Sequence, residues 1–248
     1  MSYPSAPPRG YQIDVVDQVG RAYRAVFDRL QLVVEMALLP YLLVLATVLL
    51  ALLMPVGLFG GALAGLIHAI SFLLFGAVFI VRWHRFILLD ETVGDGLIPP
   101  GWVEFVVAGV KLGAIVFAGW VVLALFAALP PHLLTIPLSG IGGVVLTLLA
   151  LRVSLIFPAA AVSRPVGLRT AWDWIDGNFW RLFACSFASY FPFVIVQIAI
   201  ATLSRMFPSL LGILFEALRL AVSFVGAAVI AALLSHLYGE IAADNAAR

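Results

Sequence analysis

Long uninterrupted runs of apolar residues constrain this chain more than any other feature of its sequence. An α-helix needs about 20 apolar residues, at about 1.5 Å rise each, to cross the hydrocarbon layer of a bilayer. Runs of that length predict six transmembrane helices, at residues 33–54, 61–81, 105–129, 139–162, 179–203 and 211–237. Only 11% of the residues are charged, against about 25% in a soluble domain. The sequence therefore predicts an all-α integral membrane protein and excludes a water-soluble fold.

Proline positions agree with these boundaries. A proline is tolerated where a helix ends, but inside a helix it removes a backbone donor and leaves a carbonyl unpaired in lipid. Most prolines, Pro137 among them, fall between the predicted spans. Pro40, Pro158 and Pro192 lie inside spans and predict kinks.

Arginines in the connecting segments predict the orientation, because cytoplasmic loops carry an excess of Lys and Arg. With six spans, one side of the membrane receives Arg9, Arg21, Arg24, Arg29, Arg82, Arg85, Arg164, Arg169, Arg181 and Arg248. The other side receives Arg205, with Arg219 just inside the last span. Both ends of the chain are therefore predicted to be cytoplasmic. Most tryptophans lie at the cytoplasmic span ends and predict an interfacial belt: Trp83, Trp102, Trp172, Trp174 and Trp180.

Two segments are predicted to form amphipathic helices that lie on the cytoplasmic face of the membrane. In residues 11–30, charged residues such as Asp17 and Arg21 occupy one face. The other face holds Ile13, Val16, Val19, Tyr23, Val26, Phe27 and Leu30. In residues 168–176 the apolar face holds Leu168, Trp172 and Ile175, and Asn178 is placed to cap the next span.

The chain divides into two regions on this interpretation. Residues 1–31 form a leader, predicted to be disordered over residues 1–10, and the first amphipathic helix. Residues 32–248 form the six-helix bundle. A lead-in, a spanning helix and its hairpin partner recur at a period of about 70 to 75 residues. Three repeated hairpins and a chance similarity between apolar segments are both compatible with this pattern.

Ionisable side chains at membrane depth are the candidate functional residues, because each is costly there unless it is paired or hydrated. These candidates are His68, Glu104, Lys111, Arg152, Glu216 and Arg219. Glu216 and Arg219 are three residues apart and can neutralise each other, while Arg152 is long enough to reach the headgroups. Lys111 lies two turns after Glu104, so the two can belong to one polar track.

His68 lies among small residues that allow a neighbouring helix or a ligand to approach closely. A hydrogen bond between helices, contact with a proton or substrate, and ligation of a pigment or haem are alternatives for it. The pigment alternative depends on the small residue one turn before each of two histidines, Ala64 before His68 and Ala232 before His236. The cofactor therefore stays unknown.

Other sites are not predicted. The motifs of zinc proteases, of nucleophile elbows and of phosphate-binding loops are missing from the sequence. Asp90, Glu91 and Asp95 form an acidic group that is more simply solvated than metal-bound, so no metal site is predicted. The arginines are spread over short loops and form no basic face, which argues against a nucleic-acid partner.

Two short motifs carry a resemblance to known proteins. At residues 152–160, which contain Phe157-Pro158-Ala159, and at residues 177–183, the chain resembles a diffuse group of uncharacterised bacterial six-helix integral membrane proteins. A relative of that group is the membrane domain attached to some glycerophosphodiester phosphodiesterases. The resemblance implies a six-helix bundle in the bacterial inner membrane. It implies no phosphodiesterase activity, because the catalytic barrel is missing and His84-Arg85 is followed by Phe86, not by glycine.

Three functions are compatible with this sequence. Because no convergent polar constellation is evident, it favours a non-catalytic accessory, assembly or scaffold subunit of a membrane complex, with a membrane-protein partner or a second copy of the chain. The alternative is a transporter or channel-like protein for a lipid or small amphiphile, which would use the kinked helices and the residues His68, Glu104 and Lys111. An intramembrane enzyme would need a water-filled cavity that joins His68 to a carboxylate.

Overall fold

The computed structural model of this protein describes residues 12–51, 57–91, 96–128, 132–207 and 210–246. These residues form helices and turns, and no strand occurs among them. The helices are α1 (Val15–Phe27), α2 (Leu30–Ala51), α3 (Leu58–Ser71), α4 (Ala77–Leu89), α5 (Trp102–Ala127), α6 (His132–Arg152), α7 (Ile156–Ala161), α8 (Leu168–Trp174), α9 (Phe179–Met206) and α10 (Leu210–Ala246). A π-helical turn, Phe72–Gly76, joins α3 to α4 without interruption. The predicted leader lies outside the described residues.

The described part of the chain contains five helical stretches long and apolar enough to cross a membrane. They are Leu30–Leu50, Leu63–Leu89, Trp102–Ala127, Phe179–Met206 and Leu211–Ile241. A shorter apolar segment, Pro137–Arg152, belongs to α6. The chain is therefore a multi-pass membrane protein in contact with the lipid bilayer, as its apolar runs predict.

The predicted fourth span, residues 139–162, is wrong at both ends. α6 begins earlier, at His132, and ends at Arg152. Pro137 consequently lies inside α6 and not between spans, where its missing N–H removes one hydrogen bond of the helix. The chain then turns before α7, in which Pro158 has no N–H to donate to the carbonyl of Ser154. Pro158 therefore follows a helix break, whereas Pro40 and Pro192 lie inside continuous helices.

The buried core lies at one end of the bundle, which we call the packed end. Trp83, Trp174, Leu237 and Ile241 are almost completely buried there, together with Ile13. This end is built from α1, α7 and α8, the last turns of α4 and α10, and the first turns of α2, α5 and α9, and the core continues from it along the bundle to Val44 and Leu220. The 37 residues of α10 extend about 56 Å, well beyond the roughly 30 Å of a hydrocarbon layer. Part of α10 therefore projects out of the hydrocarbon layer.

Two tryptophans predicted for the interfacial belt belong to this core instead. Trp83 is fully buried, and its indole N–H donates to the carbonyl oxygen of Ala228 at 3.0 Å. Trp174 is also buried, with its ring centroid 5.8 Å from that of Tyr238. Trp180 is 68% exposed, as a belt residue would be. The belt prediction is wrong for Trp83 and Trp174 because α4 and α10 continue beyond the predicted span ends.

Helix α1 packs lengthwise against α9 rather than only against lipid. At its beginning the Ile13 N–H donates to Asn178 Oδ1 at 3.1 Å, and ten residues later the Tyr23 hydroxyl donates to the Ser189 carbonyl at 3.0 Å. The two contacts are ten residues apart on α1 and eleven apart on α9, in the same order, so the helices run side by side in the same direction. Burial raises the pKa of the Tyr23 phenol.

The buried face of α1 differs in part from the predicted apolar face. Val26 is buried, but Val16 is 83% exposed. Gln18 lies in the interface and donates to Glu240 Oε1 at 2.7 Å, as does Arg21 at 2.8 Å. The Asp17 side chain accepts a hydrogen bond from Arg21, which lowers the pKa of the Asp17 carboxyl. Contact with the end of α10 decides which residues of α1 are buried. The hydropathy pattern along α1 does not reveal this contact.

The second predicted amphipathic segment forms α8. Its buried residues also differ in part from the predicted apolar face. Trp174 and Ile175 are buried, while Trp172 stays partly exposed. Asn178 occupies the predicted N-cap position of α9, but its side chain makes no capping bond and instead accepts the Ile13 N–H.

Successive long helices pack in pairs: α2 with α3, α5 with α6, and α9 with α10. In the second pair, Gly143 packs against Trp120 and Gly119 packs against Leu146, so α5 and α6 are antiparallel. A Cβ atom added at Gly143 would come within 2.5 Å of the Trp120 ring. These pairs are compatible with the predicted hairpins, and an internal sequence repeat remains a prediction.

Candidate functional site

The predicted polar track of His68, Glu104 and Lys111 is not assembled. In the described part of the chain, no hydrogen bond, ion pair or ring contact joins these three residues. The Nδ1 atom of His68 is buried without a hydrogen-bond partner, and its ring centroid lies 6.4 Å from that of Phe72. Glu104 lies in the first turn of α5, whereas Lys111 is exposed on the same helix. An interhelical hydrogen bond through Nδ1 is therefore not formed.

The predicted acidic group is also divided. Glu91 forms an ion pair with Arg85, whose Nη2 lies 2.6 Å from Glu91 Oε1. Arg85 also donates to the carbonyl of Ala161 at 3.1 Å, which ties the end of α4 to α7. Asp95 lies outside the described residues. No group of three His, Cys, Asp or Glu residues that could hold a metal ion occurs within the described ranges.

Glu216 and Arg219 pair with each other on α10. Arg219 Nη2 lies 2.6 Å from Glu216 Oε2, and Arg219 Nε donates to the same oxygen at 2.7 Å. Their spacing of three residues brings the two charges together on one helix face. The pair therefore carries no net charge at this depth and offers no isolated group for chemistry.

Arg152 is held at the end of α6 by aromatic rings. The centre of its guanidinium lies 3.9 Å from the Trp172 ring centroid and 5.8 Å from that of Phe179. Its Nη2 donates to Asp176 Oδ1 at 3.2 Å. A cation over an aromatic face contributes about 0.5–2 kcal/mol, depending on its desolvation. Arg152 thus fastens α6 to α8 and to the start of α9, instead of extending alone to the headgroups.

A cavity of about 290 Å³ lies beside this arginine, and we call it the α5–α6–α8 groove. Its walls are Leu112, Ile115 and Val116 of α5, Leu146, Leu149 and Ala150 of α6, Val153, and Leu168, Arg169 and Trp172 of α8. Arg169 is the only charged residue among these walls. The groove therefore combines an apolar interior with a single cationic side chain on α8.

The break after α6 creates this groove. Farther along the pair, glycines at Gly119 and Gly143 bring α5 and α6 into close contact. Nearer the packed end, at the level of Leu112 and Ala150, the turn after Arg152 leads the chain away toward α8. The space that remains is bounded at this end by α8. Sequence patterning could not find it, because its walls come from three separate helices.

A fully buried pair, His84 and Ser235, was missed by the sequence interpretation of candidate polar residues. His84 Nδ1 lies 2.7 Å from Ser235 Oγ, and both side chains are almost completely buried between α4 and α10. The flanking Arg82 and Arg85 suggested a loop. A helical signal was nevertheless available, since Ile80, His84 and Leu88 follow at four-residue spacing and all face the core.

Replacing Ser235 by alanine is expected to lower the free energy of unfolding by about 1–3 kcal/mol, because it leaves the buried His84 Nδ1 without its partner. Reversible unfolding in mixed detergent micelles measures this change. Ser223→Ala is the matched control on the same helix, because the Ser223 hydroxyl donates only to the carbonyl of Arg219 one turn earlier. Equal stability of both variants would contradict a structural role for the His84–Ser235 bond.

Comparison with known proteins adds no assignment. The chain matches no protein-family model, no curated protein and no solved structure. Its function is therefore inferred from the surfaces and cavities that its own residues form.

Proposed function

We propose that this protein is a non-catalytic accessory, assembly or scaffold subunit of a membrane complex in the bacterial inner membrane. The observation that carries the proposal is the unequal burial of the spanning helices. In the most apolar stretch of α5 no residue is buried within the protein. In the most apolar stretch of α10 half of the residues are buried. The packed end would hold the bundle together, and the α5–α6 pair would offer apolar surface to a partner.

An aromatic stripe on α9 supports the same function. The rings of Trp180, Phe183, Phe187 and Phe191 follow one another with centroid separations of 4.8–6.0 Å. Phe187 is 52% exposed, so this stripe faces away from the core. Aromatic side chains are enriched in protein interfaces, where they bury large areas at little entropic cost. A membrane-protein partner or a second copy of the chain would cover this stripe.

The proposed topology has six spans, with α6 as the fourth, and both ends of the chain in the cytoplasm. The distribution of arginines supports it, because Arg21, Arg85 and Arg181 lie at the packed end and Arg205 lies at the far end of α9. By the positive-inside rule the packed end is then cytoplasmic. The proposed membrane-surface helix α8 lies at this end, whereas α1 packs lengthwise against α9 and against the end of α10. The resemblance to bacterial six-helix proteins is compatible with this arrangement and stays a prediction.

A transporter for a lipid or small amphiphile is the second candidate. The α5–α6–α8 groove favours it, because an apolar cavity open to the lipid-facing side of the bundle suits such a cargo. The predicted route through His68, Glu104 and Lys111 gives no support, since these residues are not brought into contact. We therefore rank this function below the subunit function.

A photo-crosslinking experiment tests the proposal. We expect a photoreactive residue at Val122 on α5 or at Phe187 on α9 to form the same protein adduct in native membranes, because both side chains are exposed at membrane depth. Val16, which is exposed on α1, is the control position and should not give this adduct. Mass spectrometry identifies the adduct, which is expected to be one membrane protein or a second copy of the chain.

A matched pair of variants makes this test specific. Val122→Trp keeps the surface apolar but changes its shape, and it should abolish co-purification of the crosslinked partner. Leu38→Trp, at a similarly exposed position on α2, should leave co-purification unchanged. Lipid adducts alone at Val122 and Phe187, with a monomer in mild detergent, would contradict the subunit function. Lipid flux by the purified protein in vesicles would favour the transporter.

A further inference from the structure

We propose that the α5–α6–α8 groove binds an anionic phospholipid of the bilayer, with an acyl chain between α5 and α6 and the phosphate group at Arg169. This inference goes beyond the proposed function, because it concerns a ligand and not a protein partner. It assigns a chemical role to a cavity whose walls are apolar apart from one arginine.

The interior of the groove fits a hydrocarbon chain. Leucine, isoleucine, valine and alanine side chains of α5 and α6 form its walls, and its volume is about 290 Å³. An apolar cavity at membrane depth cannot satisfy the hydrogen bonds of water. A lipid chain needs no such bonds and fills the space with favourable contacts. The groove therefore selects a flexible apolar group over a hydrated one.

The end of the groove at α8 supplies a cation. Arg169 lines the cavity, is exposed, and forms no hydrogen bond or ion pair with any described residue. Asp173 follows it by one helical turn but is not within ion-pair distance. Arg164, in the segment before α8, is likewise exposed, and its side chain has no ion-pair partner in the described ranges. Arg164 does not line the groove, so the positive charge where the apolar cavity ends is that of the Arg169 guanidinium.

Neighbouring residues leave Arg169 as the arginine available to a ligand. Trp172 lines the groove and is stacked under the guanidinium of Arg152, which is in turn bonded to Asp176. Because Arg152 already has partners, Arg169 is the arginine in the groove that is available to a ligand. Arginine is well suited to phosphate, since its planar fork donates two parallel hydrogen bonds. An apolar slot that ends at such a group matches the two halves of an anionic phospholipid.

Tryptophan quenching by brominated lipids tests this proposal. The protein is reconstituted in phosphatidylcholine vesicles that contain a minor fraction of phosphatidylglycerol, with bromine on the chains of one lipid or the other. Trp120 and Trp180 face lipid and report both lipids equally, whereas Trp172 reports the groove. We expect brominated phosphatidylglycerol to quench more strongly than brominated phosphatidylcholine at the same mole fraction, and we expect Trp172→Phe to remove this difference.

Three variants separate the two parts of the site. Arg169→Gln should weaken the preference for phosphatidylglycerol about fivefold, the effect of one arginine near an anionic membrane surface. Arg205→Gln is the control, because Arg205 is an exposed arginine at the other end of α9. Ala150→Phe should fill the groove and abolish the Trp172 signal for both lipids.

The proposal is overturned if Arg169→Gln retains the wild-type preference, since the headgroup would then lie elsewhere. It is also overturned if Ala150→Phe leaves the Trp172 signal unchanged, since no chain would then occupy the groove. Millimolar inorganic phosphate should not alter the quenching. If phosphate abolishes the preference, Arg169 binds free anions, and the phospholipid assignment is wrong. None of these outcomes depends on whether a protein partner is found.

Discussion

Replacing Trp83 by alanine is expected to lower the free energy of unfolding by about 3–5 kcal/mol, the range for large aromatic side chains removed from packed cores. Trp83 is fully buried, and its ring stacks on Phe86 with a centroid separation of 5.5 Å. The variant also removes the donor to the Ala228 carbonyl, which joins α4 to α10. Loss of this side chain therefore opens a cavity in the packed end and breaks a contact between two spanning helices.

Reversible unfolding in mixed detergent micelles, followed by circular dichroism, measures this effect. Trp180→Ala is the matched control, because Trp180 is largely exposed and its removal leaves no cavity in the core. The control should change the free energy of unfolding by no more than about 0.5 kcal/mol. Similar losses for Trp83→Ala and Trp180→Ala would show that Trp83 does not belong to a packed core.

Gly101→Ala is expected to have the second largest effect. Gly101 precedes α5 with φ of 81°, in the left-handed region that costs an L-residue about 1–2 kcal/mol. A Cβ atom there would also lie 2.9 Å from the Ala160 carbonyl oxygen and would overlap that of Ala161. Backbone atoms cannot move aside as a side chain would, and overpacking adds about 1–3 kcal/mol. We expect a total loss of about 2–5 kcal/mol in the free energy of unfolding.

Two other glycines separate these contributions in the same unfolding measurement. Gly177 has φ of 75°, but a Cβ there would meet nothing within 4 Å, so Gly177→Ala reports the conformational cost alone. Gly113 lies inside α5 in open space, and Gly113→Ala should stabilise the helix by about 0.5–1 kcal/mol. If Gly101→Ala costs no more than Gly177→Ala, α7 does not pack against Gly101 as described.

Spans were predictable where a run of apolar residues is long enough to reveal them. The second predicted span, residues 61–81, continues to Leu89 because Arg82 and Arg85 find partners at the packed end. In the sequence an arginine indicates a loop, yet inside a folded bundle its guanidinium can donate hydrogen bonds to backbone carbonyls. His84 was missed for the same reason: its hydrogen-bond partner, Ser235, lies 151 positions away along the chain, where the local sequence gives no sign of it.

The candidate site was predictable only in part. Glu216 and Arg219 pair as their spacing suggests, because the interaction lies within one helix. The groove depends on where α6 stops, and the sequence placed that end at residue 162 instead of Arg152. A break of three residues turned one predicted span into α6 and α7 and brought Arg169 of α8 beside α5 and α6.

Hydropathy alone determined that this chain is helical and crosses a membrane repeatedly, since each span needs only its own residues to satisfy its backbone and face lipid. Tertiary structure alone decided which apolar side chains meet protein and which meet lipid. The Ile13–Asn178 bond joins residues 165 positions apart, and the Trp83–Ala228 bond joins residues 145 positions apart. Lipid and protein interiors are similarly apolar, so composition cannot distinguish the two surroundings, and only the packing of distant helices does.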